Sequence, residues 1–234
     1  MTSARRVAAE AWGFRARVEE EAALRFDGLA ATIAGFDGAS PVPALMRRAA
    51  EDERRHAGLC AGLAESLGVP VQLGEGRWQR VAPADLDDRA ATLYEVVAAC
   101  CITETESMSV LTTLLEEEHA PGIREVLHAI ARDEVVHSRM GWAHLAREAE
   151  AAEVGFLSHL IPVMLTGTVD DALFGPPPAD EDGEGLLRLG VLPHRQKRES
   201  FVGTLEQVVF PGLERFGVDP APARAWLAAR TSAT

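Results

Sequence analysis

The sequence is short of positive charge. Its 234 residues include 23 Lys and Arg against 36 Asp and Glu, which gives a formal net charge of −13. Such a surface repels the phosphates of nucleic acids and anionic membranes. There is no apolar run of about 18 residues that could span a bilayer, and no basic segment followed by an apolar run at the start of the chain. We therefore expect a cytoplasmic protein with no nucleic-acid or membrane partner.

Cysteine and β-strand patterning are also scarce. The three cysteines, Cys60, Cys100 and Cys101, are an odd number at spacings that match no thiolate metal site. We expect them to be small core residues in a reducing compartment. Alternation of apolar and polar residues is nearly absent, which argues against a sheet.

Helical periodicity is abundant instead. Apolar residues recurring at threes and fours predict four long helices, at about 3–36, 41–67, 86–119 and 122–150. Short links join the first helix to the second and the third to the fourth, whereas a long connection joins the second to the third. Two antiparallel hairpins joined by a crossover are the connectivity of the ferritin-like four-helix bundle. The prediction is an all-α fold with this bundle over residues 1–150.

The remaining residues, 151–234, predict a helical extension packed on the bundle as part of the same domain. Phe156 to Phe174 has the pattern of a fifth helix bent or interrupted at Pro162. The segment GPPPADEDGEG predicts a mobile acidic loop. Two further helices are expected between about 193 and 230, broken at GVDPAP.

Two of the predicted helices carry the same polar motif on their apolar faces. The second helix has Glu53 and His56, and the fourth has Glu134 and His137. Residues at i and i+3 lie on one face of a helix, about one turn apart. The third helix adds Glu104 at the centre of its apolar stripe. Because buried carboxylates without partners are costly, these residues predict bound cations.

The first helix offers three consecutive glutamates, residues 19–21. We place Val18 at the centre of the apolar stripe and turn about 100° per residue. Glu21 then lies nearest the stripe, so it is the predicted ligand from this helix, with Glu20 as the reserve.

The sum is one glutamate from each of two helices and a Glu-x-x-His pair from each of the other two, the di-iron carboxylate arrangement. The predicted metal ligands and catalytic residues are Glu21, Glu53, His56, Glu104, Glu134 and His137. Four carboxylates balance the charge of two divalent cations. Oxygen and imidazole donors favour two iron ions, with a Mn/Fe pair left open.

An aspartate precedes each of the two motif glutamates. A ligating histidine usually donates its second ring N–H to a carboxylate. We therefore expect Asp133 to contact His56 and Asp52 to contact His137, each across to the opposite helix. The neighbouring arginines either close this outer layer or are solvated.

The motif A-R-D-E-x-x-H resembles the second metal motif of the ribonucleotide reductase small subunit. The full ligand set resembles the sites of bacterial multicomponent monooxygenases, bacterioferritin and rubrerythrin, over roughly residues 10–148. This resemblance to the ferritin-like di-iron superfamily implies metal ions that activate O2.

Departures from these families narrow the expected activity. Tyr94, the only tyrosine, lies nearly three turns from Glu104, which disfavours ribonucleotide reductase activity. Cys101 and Ser107 stand where rubrerythrin would need its extra carboxylate, which disfavours a peroxidase of that type. Ile130 replaces the additional histidine of the p-aminobenzoate N-oxygenase family.

We therefore expect a di-iron oxygenase or oxidase that uses O2 to oxidise a small organic substrate. An iron-oxidising or iron-storing ferritin-like protein is the alternative, and a metal-free helical interaction module a more distant one. No flavin or nicotinamide fingerprint is present, so an external electron donor, a ferredoxin or reductase, is implied. A homodimer is left open.

Overall fold

The computed structural model describes residues 2–74 and 76–232, and every regular element in these ranges is a helix. The bundle comprises α1 (Ser3–Phe36), α2 (Val42–Leu67), α3 (Asp88–Val96), a π-helical segment (Val97–Thr103), α4 (Glu104–Leu115) and α5 (Ile123–Ala151). The predicted all-α four-helix bundle is confirmed. No helix within the described ranges combines the length and the apolar character needed to cross a membrane.

The long crossover between α2 and α3 is held against the bundle by specific contacts. Glu20 accepts hydrogen bonds from the backbone N–H groups of Gly74 and Gly76. The indole of Trp78 covers Gly28 of α1 so closely that a Cβ there would overlap the ring. Glu20, the reserve ligand candidate, is therefore a loop anchor.

The third long helix was predicted to be continuous, but its centre widens into the π-helical segment immediately before Glu104. Such π-bulges occur frequently at functional sites. On the facing helix, Gly141 lets α5 approach this segment. A Cβ on Gly141 would fall against the Cys100 side chain and lie 3.0 Å from the Cys100 carbonyl carbon.

The extension begins with short helical segments. The fifth helix, predicted to be bent or interrupted at Pro162, is interrupted just before that residue: two 3-10 turns, Gly155–His159 and Asp171–Phe174, flank α6 (Ile161–Thr168). Pro162 lies in the first turn of α6, where its missing N–H breaks no hydrogen bond, so it starts a helix and does not bend one. The acidic segment is a loop only to Asp182, whose side chain accepts from the N–H of Gly185 and caps an unpredicted helix.

That helix is α7 (Gly183–Arg188). It is followed by α8 (His194–Thr204), a π-helical segment (Leu205–Val209), α9 (Phe210–Arg215) and α10 (Ala221–Thr231). The two helical stretches predicted after residue 193 are thus confirmed, with the break at Gly217, which has φ +83. Apolar side chains of the extension share one core with α3 and the first π-helical segment, including Tyr94, Val97, Leu157, Ile161, Phe201 and Leu205.

Candidate metal centre

Five of the six predicted ligands meet at the centre of the bundle, between two apolar cores that fill its ends. Glu53, His56, Glu134 and His137 are each 0% exposed. Glu104, at the start of α4, is also buried and joins them. The i, i+3 spacing on α2 and α5 is what turns each Glu and His to the same interior face.

Both histidines point their Nδ1 atoms at the shared carboxylates. His137 Nδ1 lies 2.7 Å from Glu53 Oε1 and 3.2 Å from Glu134 Oε2. His56 Nδ1 lies 3.2 Å from Glu53 Oε2 and 3.7 Å from Glu134 Oε1. The two imidazoles therefore flank a pair of carboxylates from opposite helices.

The prediction of Glu21 as the ligand from the first helix is wrong. Glu21 is exposed, whereas Glu19 is buried and joins Glu53, His56 and Glu134 in one group of potential ligands. Of the three consecutive glutamates, Glu19 is therefore the one that α1 brings to the cluster.

The error arose because α1 buries alanines and exposes larger apolar residues. Phe14 is 63% exposed and Val7 38%. The buried line of α1 consists of Ala8, Trp12, Ala16, Glu19, Ala23 and Phe26. Small side chains let α1 and α2 approach closely, so close packing rather than hydrophobicity chose this face. The alanine line, anchored by Trp12 and Phe26, was the sequence signal for Glu19.

The potential ligands form two overlapping groups. One contains Glu19, Glu53, His56 and Glu134, and the other contains Glu53, Glu104, Glu134 and His137. Within each group one ligand atom per residue lies within 4.8 Å of the others. Because Glu53 and Glu134 belong to both groups, they can each bridge two cations.

The two aspartates lie beside the outer nitrogens of the histidines. Asp133 Oδ2 is 3.3 Å from His56 Nε2 and within hydrogen-bond geometry. Asp52 Oδ2 is 3.5 Å from His137 Nε2, a contact outside hydrogen-bond geometry. A carboxylate at Nε2 leaves the Nδ1 lone pair facing the cluster.

The arginines of the motifs close this outer layer. Arg55 Nη2 donates to both Asp52 and Asp133 at 2.7 Å, so one guanidinium links α2 to α5. Arg132 donates from Nε to Asp133 at 3.1 Å. The positive charges of Arg55 and Arg132 are thus balanced by the two aspartates of the outer layer.

The inner cluster has the features expected of a site for cations. Glu53 Oε1, both carboxylate oxygens of Glu134 and both ring nitrogens of His137 are buried without a hydrogen-bond partner. Burial raises the pKa of Glu19 and Glu104 well above the usual range, and neighbouring carboxylates raise it further. Two divalent cations would satisfy these atoms, and oxygen and imidazole donors suit iron or manganese.

Without cations the cluster must balance its charge with protons. Burial disfavours the imidazolium of His137, but its close contacts with the Glu134 and Glu53 carboxylates outweigh that penalty and raise the pKa of His137 to about 10. Burial likewise opposes ionisation of Glu53, and the histidine contacts outweigh it and lower the pKa of Glu53 to about 2. Cations entering the site therefore displace protons.

A family model described as Rubrerythrin matches residues 15–144, which is more than half of the chain and includes every residue of the two groups of potential ligands. The chain belongs to the rubrerythrin family. No curated protein matches it significantly. Among solved structures, it is similar to a Synechococcus protein described as "Protein 19 with aldehyde deformylating oxidase activity", at 20% identity and a TM-score of 0.62. That alignment covers 97% of this chain and 98% of the other.

This rubrerythrin-family chain also places an arginine at the cluster that the sequence did not single out. Arg15 Nε donates to Glu19 Oε1 at 2.7 Å, and Arg15 Nη2 donates to Ser107 Oγ at 2.9 Å. The same Nη2 is 4.0 Å from Glu134 Oε1. Arg15 lies one turn before Glu19 on α1, so an i, i+4 search from the correct glutamate would have found it.

Two turns beyond the cluster on α5, His144 is buried, and neither of its ring nitrogens has a hydrogen-bond partner. It does not belong to either group of potential ligands. Burial lowers the pKa of His144, which keeps the imidazole neutral. His144 is therefore a buried residue that lies outside the cluster.

Proposed function

We propose that this protein is a di-iron oxidoreductase that uses O2 to oxidise a small organic substrate. The observation that carries the proposal is the pair of buried ligand groups that share Glu53 and Glu134. Two ferrous ions bound there would supply electrons to O2. A mixed Mn/Fe pair would use the same donors.

In this proposal Glu53 and Glu134, which belong to both groups, would help to hold both ions. Glu19 and His56 would hold one of them, and Glu104 and His137 would hold the other. The hydrogen bond to Asp133 would keep the His56 proton on Nε2 and leave Nδ1 as the metal donor, and Asp52 lies 3.5 Å from His137 Nε2 on the corresponding side of the other ring.

Apolar side chains around the cluster exclude water. Phe26 lies edge-on to the His137 ring with centroids 6.0 Å apart, and Met140 is buried beside it on α5. A dry wall strengthens the electrostatic interactions inside the site and protects reactive species from solvent.

The likeness to the Synechococcus protein supports an organic substrate. It extends over the C-terminal helices as well as the bundle, and that protein is described as having aldehyde deformylating oxidase activity. Aldehydes are therefore the first substrate class to test. Since the sequence has no flavin or nicotinamide fingerprint, we propose that a separate ferredoxin or reductase delivers the electrons.

The test begins with protein purified without O2 and loaded with Fe²⁺. We expect two irons per chain, a new near-ultraviolet absorption band on adding O2, and aldehyde consumption when a reducing system is supplied. Glu53→Gln should lose the iron and the band. Glu21→Gln, an exposed neighbour of the correct ligand, should keep both.

Other results would redirect the proposal. Iron far in excess of two per chain, with O2 consumed by Fe²⁺ alone, would indicate an iron-oxidising or iron-storing protein. A folded protein that takes up no iron, manganese or cobalt would indicate a metal-free helical module.

A further inference from the structure

The two ligand groups offer the same donors. Each contains the shared pair Glu53 and Glu134, one further glutamate and one histidine. Taken alone, the two positions should therefore bind a divalent cation with similar affinity. Any inequality has to come from the side chains around them.

Arg15 lies on the side of one group, because it pairs with Glu19, which belongs to that group alone, and is otherwise 4.0 Å from Glu134 Oε1, the oxygen of the shared carboxylate that faces His56. It donates to Glu19 at 2.7 Å, and its side chain is only 19% exposed, so water screens this charge little. Among the ion pairs within the described part of the chain, none joins a lysine or arginine to Glu104. The guanidinium is held in place from the other side by Ser107 on α4.

A cation entering the Glu19 position meets two obstacles. It must share the Glu19 carboxylate with a guanidinium that already uses one of its oxygens. It must also lie close to a fixed positive charge, which repels it. A cation in the Glu104 position binds a carboxylate that has no such partner.

This inference rests on the proposed two-metal site. We infer that Arg15 makes the two metal positions unequal in their affinity for divalent cations. The position formed with Glu104 and His137 fills first and tightly, and the position formed with Glu19 and His56 fills second and more weakly. Arg15 is thus a positioning residue that holds Glu19 when the second position is empty.

The experiment titrates the metal-free, full-length protein with Co²⁺ in the absence of O2 and follows the visible absorption of the bound ion. We expect two steps whose dissociation constants differ by tenfold or more. His56→Gln should keep the tight step and lose the weak one. His137→Gln should lose the tight step.

Variants of Arg15 identify the cause. Arg15→Gln keeps hydrogen-bonding capacity but removes the charge, and should tighten the weak step at least tenfold. Arg15→Lys keeps the charge and should retain two separate steps. Arg17→Gln, which removes an exposed arginine from the same helix, is the matched control and should leave both steps unchanged.

Two equal steps in the unaltered protein, loss of the tight step in His56→Gln, or an unchanged weak step in a folded Arg15→Gln would overturn the inference. If Arg15→Gln does not fold, the two histidine variants still decide which position is tighter. Unequal binding of Co²⁺ without any reaction of the iron form with O2 would leave this inference standing and refute the proposed oxidase. Failure to bind Co²⁺ would refute both.

Discussion

Two groups of buried charged side chains lie on α5, and they differ in whether the carboxylate is paired with an arginine. Near the end of the helix, Glu148 is 3% exposed and accepts two hydrogen bonds from Arg89, at 2.6 Å from Nε and 3.1 Å from Nη2. Near the middle, Glu134 is fully buried, and neither of its oxygens has a hydrogen-bond partner.

The comparison shows that burial of a carboxylate does not by itself mark a metal site. Glu148 is balanced by a guanidinium that reaches it from α3, so its burial has a structural explanation. Glu134 lies among three other carboxylates with a single arginine at the margin. The shortage of lysine and arginine partners distinguishes the candidate metal cluster from the ion pair of Glu148.

The largest expected effect comes from removing one charge from each group. Glu134→Gln removes a ligand shared by both positions, so affinity for both ions should fall by roughly a hundredfold or more. Glu148→Gln should retain both ions and lose about 1–2 kcal/mol of stability, because it weakens hydrogen bonds to a half-exposed arginine. Metal analysis and thermal melting measure the two outcomes. Metal loss in both variants would break the comparison.

A second test sharpens the boundary of the metal group on α1. Glu19→Gln should reduce binding to a single ion, because one position keeps its full set of donors. Glu21→Gln changes an exposed side chain two residues away and should bind both ions. Metal content after removal of loosely bound ions would show the difference. Equal metal content in the two variants would contradict the assignment of Glu19.

Gly141 lies between the two groups and faces the π-helical segment that leads into Glu104. Gly141→Ala should cost about 1–3 kcal/mol, because the added methyl group must displace the backbone near Cys100. Gly58→Ala is the matched control on α2, since a Cβ there meets nothing within 4 Å. It should stabilise the helix by up to about 1 kcal/mol. Urea unfolding of both variants would reveal effects of opposite sign, and a loss of similar size in both would refute the packing argument.

The smallest effect concerns His144, whose ring nitrogens have no hydrogen-bond partner among the described residues. Its pKa is lowered by burial, so below about pH 6.5 the unfolded chain takes up a proton that the folded protein does not. Stability should therefore fall as the pH drops through this range. His144→Leu should lose a few degrees less in Tm between pH 7.5 and 5.5 than the unaltered protein. An identical pH dependence would show that His144 is not the titrating group.

The repeated motif on α2 and α5 was predictable because two residues at i and i+3 must share a helix face whatever the helix packs against. The same reasoning placed Glu104 on the interior face of its helix. It failed on α1, where Phe14 and Val7 point outward and the inward face consists mainly of alanines, with Trp12 and Phe26 among them. Helix periodicity identifies the buried face of a helix only when the most hydrophobic face is also the face that packs most closely against its neighbours.

The sequence by itself therefore determined the long helices, their connectivity and which glutamates and histidines of α2, α4 and α5 face the cluster, since these depend on local geometry and spacing. Only the tertiary structure decided that α1 offers Glu19 and that Arg15 lies against it. It also decided that a π-helical turn precedes Glu104. These features depend on how closely helices distant in sequence approach one another, and that distance is fixed by packing of the whole bundle.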